Sequence, residues 1–301
     1  MKSDTSKGVF VPLATAFNRD GRVNSVAMEK LTRFVLGHGV HGVITAGSTG
    51  EFFGLEMQDR EILLETVMAV VDKKIPVYAG TGAVTTHEAI KLTRQAEEIG
   101  ADGVLVITPF YISPSQEDLA EHYIQIAKST RLPIIIYSNP ARTGGVKPSP
   151  DTLSKLARVD NIIALKDSSG NLALTAEYIM RTREEDFMLI MGQDKLFFSG
   201  LMHGCKGLIA ATANVVPDLV VKLYDAYIRE DINQCLALQE RIALIRQGFE
   251  SAPFPVAAKE MIKMVGIDVG TPKAPLGIGR SLSSGDLDKL QKLITEATHK
   301  Y

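Results

Sequence analysis

Short apolar runs recur at fairly even spacing along the first three quarters of the chain: GVFVPLATAF, HGVITAG, IPVYAG, DGVLVIT, PIIIYS, NIIALK, FMLIMG and GLIAAT. Between them lie segments whose apolar positions follow helical spacing, such as Met57–Val71, Thr86–Ile99 and Gln116–Lys128. Successive runs are about 20 to 35 residues apart, the length of a strand-plus-helix unit. The runs are apolar at consecutive positions, which predicts strands buried on both faces in a parallel sheet under helices. Eight units in series predict a (β/α)8 barrel, here over residues 1–230. SPSQEDL and PSPDTLSKL each offer a serine cap and early acids, and so predict helix starts. Residues 231–301 show helical patterning over 231–247, 255–265 and 284–300 without strands. No linker of biased composition precedes them, which predicts a three-helix extension packed on the barrel.

A doubly wound open sheet is the rival architecture. It usually carries a glycine fingerprint after its first strand, and here that turn reads FNRDGRVN. Length is compatible with the barrel, since single α/β barrels often run to about 250 residues. A net charge of −2 without a basic stripe argues against nucleic acid. It leaves room for a small anionic substrate held by a few local cations. The only cysteines are Cys205 and Cys235, too few for a secreted disulfide scaffold. The opening MKSDTSKG lacks the apolar core of a signal peptide, and no apolar run approaches the ~18 residues of a membrane span. These features predict a cytoplasmic protein that acts on small molecules.

Function in such a barrel sits at the C-terminal ends of the strands. There the chain offers GSTGEF after the second run, GTGAVT after the third, TPFYISP after the fourth and YSNPARTGG after the fifth. Lys166 ends the sixth run. It is either an ion-pair residue, with Asp167 as the obvious partner, or a nucleophile. Burial among apolar neighbours favours the neutral amine, and a neutral lysine can form a Schiff base with a ketone. Such chemistry needs proton relay, and Tyr137 ends the adjacent strand. The glycines of GSTGE allow backbone N–H groups to converge on a carboxylate, with the hydroxyls of Ser48 and Thr49 beside them. Arg142 is a candidate fork for a second carboxylate. GTGAVT lacks the third glycine of a nucleotide fingerprint, and the six histidines form no metal-ligand spacing, so neither cofactor nor metal is expected.

Taken together, GSTGEF, PVYAGTG, TPFY, IIIYSNPARTG, IIALKDSSGNL and the three terminal helices make the chain resemble the dihydrodipicolinate synthase and N-acetylneuraminate lyase superfamily over nearly its whole length. The resemblance implies a pyruvate Schiff-base enzyme without cofactor, usually a homotetramer built as a dimer of dimers. Lys166 then forms the imine, and Tyr137 relays protons, coupled to Thr49. Tyr111 resembles the tyrosine that a neighbouring subunit inserts into the relay. Ser48 and Thr49 hold the pyruvate carboxylate, and Gly192 and Ile209 match positions lining the pocket.

The substrate partner is less sharply specified. Arg142, followed by Thr143 and Gly144, matches the synthases that condense pyruvate with aspartate semialdehyde. Ser48 stands where the synthases usually have threonine and is shared with the neuraminate lyases, and Ser138 replaces the usual asparagine. KDSSG and GQDKLFFSG resemble lyases acting on 2-keto-3-deoxy sugar acids, so an aldolase of such acids or of 4-hydroxy-2-oxoglutarate is the alternative. Lys195 stands where neuraminate lyases carry an acid, against sialic acid as substrate. Phe52, Val84 and Phe110 stand where lysine-inhibited synthases have polar groups or a tyrosine, against lysine feedback. A barrel that binds a keto acid without turnover is the reading from outside enzymology.

Overall fold

The computed structural model describes residues 7–278 and 282–299. Residues 1–6 and Lys300, the expected end of the last helix, lie outside the described residues. Eight parallel strands form the centre: β1 (Gly8–Pro12), β2 (Gly42–Thr45), β3 (Val77–Gly80), β4 (Gly103–Ile107), β5 (Ile134–Ser138), β6 (Ile162–Asp167), β7 (Met188–Met191) and β8 (Gly207–Ile209). They pair in chain order, and β8 closes the barrel on β1. Each strand is followed by a helix: α1 (Ser25–Leu36), α2 (Met57–Val71), α3 (Thr86–Ile99), α4 (Gln116–Lys128), α5 (Pro150–Ala157), α6 (Leu172–Thr182), α7 (Phe197–His203) and α8 (Pro217–Ile228). The remainder is helical, with α9 (Ile232–Phe249), α10 (Val256–Met264) and α11 (Ser284–Thr298).

Local sequence sets the helix starts. Ser115 accepts a hydrogen bond from the Asp118 N–H, and Asp118 returns one from the Ser115 N–H. This reciprocal cap satisfies two N–H groups that a helix end leaves open. At α5, Ser149 accepts from the Thr152 N–H, and Pro150 occupies the first turn, where its missing N–H costs nothing.

The strands are buried on both faces. Phe10, Ile44, Tyr78, Leu105, Ile135, Met188 and Ile209 fill the barrel interior. Val9, Val43, Val77, Val104, Ile134 and Leu208 face the helices. Phe10 and Tyr78 meet edge to face with centroids 5.8 Å apart. A Cβ on Gly42 would lie 2.2 Å from the Phe10 ring, and one on Gly103 would lie 2.3 Å from the Tyr78 ring. The two rings therefore occupy space that only glycine on the neighbouring strand leaves. Leu238, Ile242 and Ile245 of α9, Met261 of α10 and Leu290 of α11 join the apolar core outside the barrel, so the extension shares the barrel's packing.

Candidate active site

The side chain of Lys166 enters the barrel because β6 carries a bulge. Ile134 pairs with Ile162, but Ile135 pairs with Ala164, which leaves Ile163 as an extra residue. Strict alternation from the outward-facing Ile162 would have turned residue 166 outward. Instead Ile163 and Ala164 both face the interior, Leu165 faces the helices, and Lys166 faces inward. A bulge re-aims every side chain that follows it. The shifted register places Lys166 directly opposite Tyr137. Both side chains are 5% exposed, and the lysine Nζ lies 4.0 Å from the centroid of the tyrosine ring.

Asp167 is not the partner of Lys166. It points to the other face, where its carboxylate accepts from the Thr175 hydroxyl at 2.7 Å and the Ser169 N–H at 2.9 Å. Among the described residues Lys166 forms no ion pair. The Tyr137 hydroxyl accepts from the Asn139 amide at 2.9 Å and, more loosely, from the Ser48 hydroxyl at 3.4 Å. Burial pushes the phenol pKa up. Nearby Lys166, the hydrogen bonds from Ser48 and Asn139, and Arg142 outweigh it, and the net direction is down.

The hydroxyl joined to Tyr137 is thus that of Ser48, where the sequence reading coupled Tyr137 to Thr49. Thr49 is buried in the same pocket wall. The backbone N–H groups of Ser48 and Thr49 donate to no acceptor among the described residues, while those of Glu51 and Phe52 are consumed within the loop by the Ser48 and Gly47 carbonyls. Two free N–H groups in residues that line a pocket suit an anion. The left-handed residues of this loop are Ala46 and Glu51, not its glycines. A Cβ on Gly50 would come within 3.0 Å of the Leu13 carbonyl. Glu51 is fully buried and turned away from the pocket. Its carboxylate contacts Lys259 of α10 at 2.6 Å and accepts the Lys273 N–H at 2.7 Å, which ties the loop to the helical extension.

Lys166, Tyr137, Ser48, Thr49, Arg142, Gly192 and Ile209 all line one pocket at the barrel mouth. Gly192 is held by its N–H to the Asp167 carbonyl, and a Cβ there would strike the Ser168 hydroxyl at 2.0 Å. Tyr111 does not line this pocket. It follows β4, is 97% exposed and has φ of +72°. Asn139, Arg246 and Phe254 also line the pocket, unforeseen from the sequence. Asn139 lies two residues after Tyr137, within YSNPARTGG. Arg246 lies on α9 and Phe254 just beyond it, and nothing in the local sequence distinguishes them from surface and packing residues.

The sequence model of the Dihydrodipicolinate synthetase family matches residues 5–297. The chain is 35% identical over 274 residues to a 4-hydroxy-tetrahydrodipicolinate synthase of Syntrophobacter fumaroxidans, covering 90% of this chain and 93% of that protein. It is 37% identical to one from Methanospirillum hungatei, covering 90% and 93%. Among solved structures, a dihydrodipicolinate synthase from Bacillus anthracis superposes with a TM-score of 0.91 at 31% identity, over 96% of this chain and 97% of the other. YagE from E. coli K12, a prophage protein of the same family solved in complex with pyruvate, superposes with a TM-score of 0.91 at 29% identity, over 97% and 98%. With the fold, the inward lysine and these matches in hand, the chain belongs to the dihydrodipicolinate synthetase family of pyruvate-dependent Schiff-base lyases and synthases.

Proposed function

We propose that the protein is a 4-hydroxy-tetrahydrodipicolinate synthase that condenses pyruvate with aspartate semialdehyde through Lys166. The amine attacks the pyruvate ketone carbon, and the ketone oxygen takes up protons and leaves as water. Loss of a methyl proton converts the imine to an enamine, which adds to the aldehyde carbon as the aldehyde oxygen gains a proton. The substrate's own amine then displaces Lys166 and closes the ring. Tyr137 carries the protons. Its hydroxyl accepts two hydrogen bonds, which suits a group that must both give and take a proton.

The observation that carries this reading is the buried Lys166 beside Tyr137 with its carboxylate neighbour engaged elsewhere. The free N–H groups of Ser48 and Thr49 suit the pyruvate carboxylate, and Arg142 suits that of the aldehyde. Relatives that carry the synthase name support the choice of aldehyde, and the pyruvate complex of the similar E. coli protein supports the first substrate. Borohydride reduction in the presence of pyruvate tests the chemistry. One pyruvyl adduct per chain is expected, on Lys166. Turnover of pyruvate with aspartate semialdehyde, against cleavage of 2-keto-3-deoxygluconate, then separates the synthase from the aldolase reading.

We also infer a homotetramer, a dimer of dimers, in which Tyr111 completes the relay of a neighbouring subunit. Phe53, Tyr111 and Ile112 are exposed beside the edge-to-face contact of Phe52 and Phe110. An apolar group of this kind at a barrel mouth suits burial against a second copy.

A further inference from the structure

Arg246 of α9 and Phe254 line the same pocket as Lys166, so the helical extension contributes a second arginine to it. Arg246 and Arg142 flank the same ring, with guanidinium carbons 6.0 Å and 5.1 Å from the centroid of Phe254. The two are supported differently. Arg142 has no carboxylate partner among the described residues. Arg246 is 20% exposed and is held on two sides, through Nε by Glu250 at 3.2 Å and through Nη1 by Asp194 at 3.5 Å. Asp194 is itself fixed by the Thr212 hydroxyl at 2.6 Å and the Thr212 N–H at 3.0 Å. Glu250 is shared with Lys195 at 2.5 Å.

A guanidinium has five N–H donors in a planar fork. Nε donates to Glu250 and Nη1 to Asp194, and Nη2 has no protein acceptor among the described residues. The charges of Arg246, Lys195, Asp194 and Glu250 cancel, so Arg142 leaves this wall net positive. The acids therefore orient Arg246 without reversing the sign of the site. An arginine held in place before the ligand arrives loses little side-chain freedom on binding.

We propose that Arg246 is a second binding residue of the acceptor subsite, which with Arg142 receives an aldehyde whose far end is a carboxylate. The inference rests on the Schiff-base reading above and deepens it. Phe254 lies against both guanidinium groups, and Asp194 and Glu250 fix Arg246 in the pocket lining while its Nη2 stays free for a ligand. A neutral hydroxyaldehyde would leave Arg142 and the Nη2 of Arg246 without a carboxylate acceptor.

The test uses the full-length protein and three aldehydes with pyruvate: aspartate semialdehyde, succinic semialdehyde and neutral glyceraldehyde. Borohydride trapping of pyruvate on the wild-type protein comes first, and its failure sinks the Schiff-base reading rather than this one. With trapping established, a carboxylate-bearing aldehyde is expected to be turned over in preference to glyceraldehyde. Arg246→Gln should raise the KM for that aldehyde about ten- to a hundredfold, the range for a lost charge-assisted hydrogen bond, with a much smaller change in the KM for pyruvate. Arg246→Lys, which keeps the charge but not the fork, should recover part of the loss, and it serves as the readout should the glutamine variant misfold. Preference for glyceraldehyde, an unchanged aldehyde KM in both variants, or equal rises in the KM of aldehyde and pyruvate would each overturn the proposal.

Discussion

Tyr137 and Lys166 stand directly opposite each other on β5 and β6, with the amine 4.0 Å from the centre of the phenol ring. The nearest acid in sequence, Asp167, spends its oxygens on Thr175 and Ser169. The lysine is thereby left to the substrate.

Replacing Lys166 should abolish chemistry without harming the fold. No carboxylate is stranded when the amine is removed, and a buried lysine without an acid partner is a cost to the folded state. Lys166→Met is expected to lose the borohydride-trapped adduct and turnover. Its unfolding free energy in urea should equal or exceed that of the wild type by up to about 2 kcal/mol. A clear loss of stability would show that the lysine has a structural partner.

The depressed Tyr137 phenol gives a pH signature. In the folded chain it releases its proton at lower pH than a free tyrosine. Between those two midpoints the unfolded chain binds more protons, so this residue makes stability rise with pH across that window, and the contribution is lost as pH falls through the folded midpoint. The phenolate difference spectrum of wild type minus Tyr137→Phe should show a midpoint below the ordinary tyrosine value of about 10. Asn139→Leu removes the shorter of the two hydrogen bonds and should move that midpoint up.

For Arg142, truncation should act on the aldehyde alone. Arg142→Ala is expected to raise the aldehyde KM about ten- to a hundredfold, the scale of a charge-assisted hydrogen bond, while pyruvate is still trapped on Lys166. Steady-state kinetics with each substrate varied in turn checks this. An unaffected aldehyde KM would favour the sugar-acid aldolases.

Glu51 and Lys259 form a buried ion pair with both side chains fully covered. Glu51→Gln leaves Lys259 without its acid and weakens the hold on the Lys273 N–H. Breaking one side of such a pair typically costs about 3–5 kcal/mol. The double variant Glu51→Leu with Lys259→Met should recover much of that loss in urea unfolding, because no uncompensated charge remains.

Sharing of Tyr111 between subunits predicts complementation. Chains with Lys166→Ala and chains with Tyr111→Phe should each be nearly inactive. Unfolded together and refolded as a mixture, half of the dimers pair unlike chains, and each such pair contains one site with both residues intact. Activity should then return to about a quarter of the wild-type level, as expected of an isologous interface. No recovery in a mixture shown to contain hybrids would place Tyr111 outside the neighbour's site.

Much of this molecule was legible in its sequence. The eight apolar runs became the eight strands, and the caps at Ser115 and Ser149 start α4 and α5 as read, because both signals are local. Lys166 at a strand end and Tyr137 on the preceding strand follow from the same patterning. Three matters were decided only in three dimensions. The bulge after Ile162 turns Lys166 inward, and nothing in NIIALK announces it, since consecutive apolar residues fit either face. The glutamate of GSTGE and Lys259 are partners across more than two hundred residues of chain, and Arg246 reaches the pocket from α9, well beyond the barrel in sequence. Strands and helices arise from neighbours along the chain, whereas a side chain's direction and its distant partners arise from how those elements close upon one another.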